Sequence, residues 1–203
     1  MIAAVPPPTP EKERLRREMR DRRLAIPLEA ARGAAERAAQ ALLALPAVAV
    51  AQLIALYAAF RGELSTLPLA LALRARGARI CYPRVTRKER LLTFHEVSDE
   101  SVLVPSRLGI PEPPEALPIV APSALSIIVV PGLAFDPLGG RVGWGGAYYD
   151  TTLAAAQRAL RVGYAFELQI VPQVPVNGSD VRVDVLATEN GVRPTGARPL
   201  ATP

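Results

Sequence analysis

From Leu28 onward the apolar side chains Leu28, Ala31, Ala35, Ala38, Leu42 and Leu45 step by three and four residues. That spacing is the stripe of an amphipathic helix. Pro27 opens it and Pro46 closes it, because proline breaks the ladder of a helix interior but suits its first turn. Before it, Glu11 to Ala25 predicts another helix, with Thr9 as N-cap, Pro10 at the first helical position, and Leu15, Met19 and Leu24 on or near one face. After Pro46 the rhythm changes. Ala47 to Ala59, with Val48, Val50, Leu53, Ile54, Leu56 and Tyr57, predicts a first buried strand. Leu67 to Arg76 predicts a helix ended by Gly77, and Ala78 to Val85 and Leu91 to Val97 predict two strands of a hairpin turning at Arg87-Lys88-Glu89-Arg90. Ser101 to Ile119 is proline-rich and irregular. Ile127 to Val130 is an uninterrupted β-branched run, as in a strand buried on both faces. A helix follows from about Tyr148, then strands over Arg161 to Phe166 and Val181 to Thr188, with Gln169 to Asp180 loop-like between them.

This order predicts an α/β fold: an open, mostly parallel sheet flanked by helices, with an N-terminal helical pair and a β-hairpin. Residues 11–190 are expected to form a single domain. Pro6, Pro7, Pro8 and Pro10 make residues 1–10 a disordered arm, and residues 191–203, without periodicity, a flexible tail.

Composition narrows the chemistry. The chain has 203 residues, half of them apolar, ample for a core. No apolar run reaches the roughly 18 residues of a membrane span, and the charged N-terminus does not resemble a secretory signal. Cys81 is the one cysteine, so an internal disulfide is excluded and a cytoplasmic location is expected. His95 is the one histidine, which disfavours a histidine metal site and leaves a hard, oxygen-ligated cation such as Mg²⁺ open. The net charge is +5, but only 5% of residues are aromatic and no nucleic-acid motif is present. Seven basic residues from Lys12 to Arg23 are interleaved with Glu11, Glu13, Glu18 and Asp21. For most of these side chains that reads as a solvated, salt-bridge-laced helix face. A polyanionic small molecule fits the overall charge as well as nucleic acid does.

The chemistry concentrates after Val130. Gly139 to Gly146 holds five glycines in eight residues, broken by Arg141 and Trp144. A strand, a glycine loop exposing backbone N–H groups, and a helix N-terminus make a favourable place for phosphate. The loop is neither G-x-x-x-x-G-K-S/T nor G-x-G-x-x-G, and an ordinary glycine-rich connection is the alternative. Arg141, the pair Tyr148-Tyr149 and Asp150 tip the reading towards a ligand site. Glu63 follows the first strand, at the end where open α/β sheets bind ligands, with an exposed loop glutamate as the alternative.

Several segments in order then resemble the 5-formyltetrahydrofolate cyclo-ligase family, also called 5,10-methenyltetrahydrofolate synthetases. Val130-Pro131-Gly132-Leu133-Ala134-Phe135-Asp136 and Gly139 to Asp150 are similar to V-P-G-x-A-F-D-x-x-G-x-R-L/V-G-R-G-x-G-Y-Y-D. Lys12, Leu15 and Arg16 resemble its K-x-x-L-R, and Gly62-Glu63 its G-E. Tyr82-Pro83-Arg84, Gly109-Ile110-Pro111-Glu112-Pro113, Val162 to Gln169 and Val181-Arg182-Val183-Asp184 resemble further segments, so the likeness spans roughly residues 11–190. The chain departs from the pattern at Trp144, where the family usually has arginine, and at Ala147, where it has glycine. Thr151 and Ser179 replace a frequent arginine and histidine.

The resemblance implies ATP-dependent ring closure of 5-formyltetrahydrofolate to 5,10-methenyltetrahydrofolate. The formyl oxygen is phosphorylated, N10 attacks, and phosphate leaves. It implies catalytic roles for Lys12 and Tyr148, and an ATP site made of Lys12, Arg16, Arg141, Gly143, Trp144, Gly145, Gly146, Ala147, Tyr148 and Tyr149. It implies a reduced-folate site including Ala58, Glu63, Tyr82, Trp144 and Tyr148, and Mg²⁺ on Asp150 and Asp180. The expected partner is this small molecule, with no nucleic acid and no membrane, and the expected state is a monomer. The alternatives are a catalytically weakened folate- or nucleotide-binding relative and, remotely, a basic nucleic-acid-binding module.

Overall fold

A computed structural model describes residues 9–86 and 90–199. The expected arm over residues 1–8, most of the Arg87–Arg90 turn and the last four residues lie outside the described residues. Helix α1 (Pro10–Leu24) begins as its sequence predicts, with Pro10 at its start and the Lys12 backbone N–H donating to the Thr9 hydroxyl at 3.3 Å. Helix α2 (Leu28–Leu43) buries Ala34, Ala35, Ala38, Ala39 and Leu42. Those small side chains let its axis lie close to the layer beneath.

Helix α3 (Pro46–Ala49) is a single turn and strand β1 covers only Leu53–Ala55. The strand expected over Ala47 to Ala59 is therefore shorter. Pro46 at a first helical position starts a turn instead, and Val50 is exposed. Helix α4 (Leu67–Ala75) leads to β2 (Arg79–Val85), which pairs antiparallel with β3 (Leu92–Glu96) as the expected hairpin. The proline-rich segment carries short strands β4 (Val104–Pro105), β5 (Pro111–Glu112) and β6 (Ile119–Val120). Then come β7 (Ile127–Val130), β8 (Ala134–Phe135), β9 (Arg141–Val142), helix α5 (Tyr148–Ala155), β10 (Leu160–Tyr164), β11 (Val185–Thr188) and β12 (Gly191–Pro194).

The main sheet has the order β12-β11-β10-β7-β1-β2-β3-β6. Its five inner strands, from β11 to β2, are parallel, and antiparallel strands close both edges. Both faces are covered, which the β7 run reports directly. Ile127 and Val129 join the core layer with α2 and α4, while Ile128 and Val130 join the layer with Leu153 and Ala156 on the α5 side. Alternation along a strand requires this division. Chain order reverses between β1 and β7: β1 is followed by α4 and β2 on one side, and β7 by α5 and β10 on the other. The carboxyl ends of two neighbouring strands thus open a crevice between their loops.

The flexible tail expected from residue 191 is corrected over its described part. Glu189-Asn190 is a two-residue turn, Gly191 takes φ +126°, and β12 pairs with β11 from Thr188↔Gly191 to Val185↔Pro194. Asn-Gly is a hairpin signal that periodicity does not register. Beyond it Thr195 is buried, and Arg198 forms an ion pair with the buried carboxylate of Asp184. Arg198→Ala leaves that carboxylate short of its cation. Because the guanidinium is partly exposed, the expected loss is about 2 kcal/mol, below the usual cost of breaking a fully buried pair. A urea titration checks it through a lowered midpoint at unchanged slope.

Candidate active site

The loop after β7 is built on one buried carboxylate. Asp136 Oδ1 accepts the backbone N–H groups of Leu138 and Gly140, and Oδ2 accepts that of Val174, all at 2.9 Å. A Cβ at Gly140 would lie 2.5 Å from Asp136 Oδ2, so this position has no room for a side chain. The buried Gln169 amide donates to the carbonyls of Gly132 and Leu133, at 2.8 and 3.0 Å. The segment up to Gly140 therefore shapes the loop and meets the cavity only at Pro131; the rest of the loop's lining comes from Arg141 onward.

β9 delivers Arg141 into the buried side of the loop. Its Nη2 donates to Asp150 Oδ1 at 2.9 Å, its guanidinium lies 5.7 Å from the Tyr149 ring centre, and its buried Nε has no partner. A Cβ at Gly143 would lie 2.7 Å from Arg141 Nη1, and one at Gly146 would lie 2.7 Å from the Tyr148 ring. Helix α1 crosses the same loop. Arg16 Nε donates to the Gly143 carbonyl at 2.9 Å, and Lys12 Nζ pairs with Asp180 Oδ2 at 2.7 Å. Asp180 also accepts from the Asn177 N–H, and Asp150 from the Val181 N–H. Four separate segments thus bring Lys12, Arg16, Arg141, Asp150 and Asp180 to one place. All but Lys12, which stands behind Asp180, border a cavity of about 380 Å³ that is polar at Arg16, Arg141, Asp150 and Asp180 and apolar at Phe60, Leu108 and Ile110. Gly143, Trp144, Gly145, Gly146, Ala147, Tyr148 and Tyr149 form the wall between.

Glu63 sits behind that wall. The loop after β1 is pinned by Tyr57, whose hydroxyl donates to the Leu64 carbonyl at 2.6 Å and whose carbonyl accepts from Thr66 Oγ1 at 2.7 Å. Glu63 Oε2 accepts the Phe60 N–H and Oε1 the Trp144 indole N–H, each at 3.1 Å. Arg23 Nη1 stands 4.0 Å from Oε1. Burial raises the pKa of Glu63, and the Trp144 bond and Arg23 charge oppose that rise. Burial likewise lowers the pKa of Arg23.

Arg23 corrects the view of α1 as a solvated face. Its side chain is fully buried, Nη2 donates to the Arg61 carbonyl at 2.8 Å, and its guanidinium lies 5.6 Å from the Trp144 ring centre. Its position four residues past Met19 puts it on the buried face of α1, but its charge gives no sign of burial. Arg61 carries no sequence signal either; it borders the cavity and sits 5.8 Å from the same ring. Three expected folate residues do not border the cavity: Glu63, which lies behind Trp144, and Tyr82 and Ala58. Tyr82 points into the α4 side of the core, where its hydroxyl donates to Glu100, itself paired with Arg74. Ala58 packs against that same layer.

Towards polyanions and cations the donor set is specific. Lys12, Arg16 and Arg141 surround a loop whose Cβ-free positions leave backbone room, and the unpartnered Arg141 Nε is a spare donor; this fits a triphosphate. Asp150 and Asp180 are two carboxylates, each neutralised by a cation. Among the described residues there is no group of three or more acidic, histidine or cysteine side chains placed to hold a metal. Two carboxylates completed by phosphate oxygens and water suit Mg²⁺, which is seldom held in an all-protein cage.

The family model described as the 5-formyltetrahydrofolate cyclo-ligase family matches residues 8–189. The chain belongs to this family. It is 34% identical over 178 residues to the 5-formyltetrahydrofolate cyclo-ligase of Escherichia coli K12, covering 86% of this chain and 98% of that protein. Its likeness to the Haemophilus influenzae cyclo-ligase is 30% over 177 residues, covering 85% and 95%. The Aquifex aeolicus 5,10-methenyltetrahydrofolate synthetase superposes with a TM-score of 0.80 at 30% identity, over 94% of this chain and 95% of that one. The Mycoplasma pneumoniae synthetase shares the fold, with a TM-score of 0.73 over 88% and 99% at 19% identity.

One departure from the cyclo-ligase pattern has a direct structural reading. Ala147, at the position where the family carries glycine, adopts φ +57°, ψ +10° as the N-cap of α5. That left-handed conformation costs an L-residue with a Cβ roughly 1–2 kcal/mol, partly offset by alanine's smaller unfolded-state entropy. Ala147→Gly is therefore expected to raise stability by about 0.5–1 kcal/mol, and differential scanning calorimetry checks it as a raised Tm.

Proposed function

We propose that this protein closes 5-formyltetrahydrofolate to 5,10-methenyltetrahydrofolate at the expense of ATP, with Mg²⁺. The observation that carries the reading is the convergence of Lys12, Arg16 and Arg141 on the glycine loop, one indole away from the buried Glu63 carboxylate. A phosphate site then lines the cavity, and a site for N–H donors lies directly behind its wall at Trp144.

When bound, ATP supplies the phosphoryl group that turns the formyl oxygen into a leaving group, and Mg²⁺ neutralises the phosphates. The chain's own work is positioning and charge neutralisation, which dominate phosphoryl transfer. Arg141 presents its spare Nε–H to a phosphate oxygen while Nη2 holds Asp150. Lys12 exchanges Asp180 for a phosphate, which releases that carboxylate towards the cation. Glu63 accepts N–H donors of the pterin. The Tyr148 ring, locked over Gly146, orients the reduced folate so that N10 faces the activated formyl carbon. Phe60, Leu108 and Ile110 exclude water from the activated formyl group. Cys81 is buried and free, which suits a reducing compartment, and no described helix is long and apolar enough to cross a membrane. The reading places the protein in the cytoplasm as a monomer.

The test is the purified protein with 5-formyltetrahydrofolate, ATP and Mg²⁺, followed by methenyltetrahydrofolate absorbance. Turnover that requires both ATP and the cation is expected, and its absence overturns the reading. Trp144 in place of the usual arginine favours one alternative, a weakened relative, which would bind both ligands without turnover. Lys12→Ala is expected to raise the KM for ATP roughly 10- to 100-fold, the worth of one charge-assisted hydrogen bond. The KM for the folate should change little; initial-rate kinetics with each ligand varied separate the two.

A further inference from the structure

The cavity does not reach the Glu63 carboxylate. Its side chain is only 7% exposed, whereas the Trp144 side chain bonded to it stands in the cavity wall in a residue 42% exposed. The indole N–H occupies Oε1, the Phe60 N–H occupies Oε2, and Arg23 closes the remaining side. A ligand that is to use Glu63 must therefore meet Trp144 first.

The surroundings of the indole suit movement. Its neighbours in sequence are Gly143 and Gly145, and Gly146 comes next. Gly145 sits at φ +102°, where only a glycine is at ease. The Glu63 bond is the one hydrogen bond by which the described residues hold the indole. The two guanidiniums near its ring, Arg23 at 5.6 Å and Arg61 at 5.8 Å, attract it without fixing an orientation as a hydrogen bond does. Glu63 and Arg23, by contrast, are anchored: the former by the Phe60 N–H, the latter by the Arg61 carbonyl. The indole is the mobile partner and the carboxylate the fixed one.

We propose that Trp144 is a cap on Glu63 that the folate displaces: N–H donors of the ligand's bicyclic ring take over the carboxylate, and the released indole ring packs against that ring. The inference rests on the functional reading above, in which Glu63 receives the folate. It gives Trp144 a specificity role. A ligand too poor in N–H donors to replace the indole leaves a buried carboxylate short of a partner, a discrimination of the kind that sites built for hydrogen bonding achieve. It also accounts for an exposed tryptophan lying against two cations in the free protein.

Trp144 is the only tryptophan in the chain, so a ¹H–¹⁵N spectrum carries a single indole cross-peak. In the free protein a proton bonded to a carboxylate is expected downfield, and Glu63→Gln should move it upfield. Adding 5-formyltetrahydrofolate without ATP should move the wild-type peak upfield as well. The second measurement is calorimetric binding of the same ligand to Trp144→Phe, which keeps a stacking ring and removes the competing N–H. Binding about ten-fold tighter than wild type is expected, the worth of relieving one hydrogen bond to a charged group. An indole peak that stays downfield in the bound protein, or a Phe variant that binds equally or more weakly, overturns the cap. If wild-type protein binds no 5-formyltetrahydrofolate at all, the cap and the functional reading fall together.

Discussion

The buried Asp136 carboxylate is the constraint on which the site depends. Its two oxygens hold three backbone N–H groups, two within the β8–β9 turn and one in the segment that runs towards Asp180. No cation pairs with it among the described residues; its partners there are backbone amides, which satisfy a buried carboxylate's acceptor positions. This bond set fixes where β9 starts and hence where Arg141 points. The glycine loop, the start of α5 and the approach of α1 are arranged on that foundation.

Above it the charges are paired in advance. Lys12 with Asp180 and Arg141 with Asp150 leave a largely neutral pocket in which each of these two cations suited to phosphate is held by a carboxylate suited to a divalent ion. Isolated buried charges would be costly. Pairing holds them roughly in place without a ligand, so binding exchanges partners and requires little reorientation. The Glu63 side of the cavity obeys the same logic with an indole and a buried arginine as the interim partners.

Much of this was legible in the chain. The three- and four-residue stepping of α2 and the β-branched run of β7 located two central elements, because burial on a helix stripe or on two sheet faces imposes a period that composition cannot hide. The motif from Val130 to Asp150 placed the loop. What escaped depends on contacts between segments distant in sequence. Arg23 is one of several arginines in α1, and only the crossing of that helix over Gly132 and Arg61 buries it. Tyr82 looked like a ligand residue, but strand alternation turns it to the other face of the sheet. β12 escaped because a four-residue edge strand containing Gly and Pro has almost no hydrophobic pattern, and its signal was the Asn190-Gly191 pair where the turn meets the strand.

That last strand bears on how the molecule is made. The alanine stripe of α2 rests on α4, near it in sequence, and on β11 and β12, far from it in sequence. Lys12 and Asp180 are likewise 168 residues apart. Contacts of such sequence separation slow folding, since a long loop must close before they form. Only the part of the α2 face that meets α4 can be covered early; the rest waits for β11 and β12. For this chain the closing of the sheet, and with it the assembly of the phosphate loop against α1, waits on segments far apart in sequence.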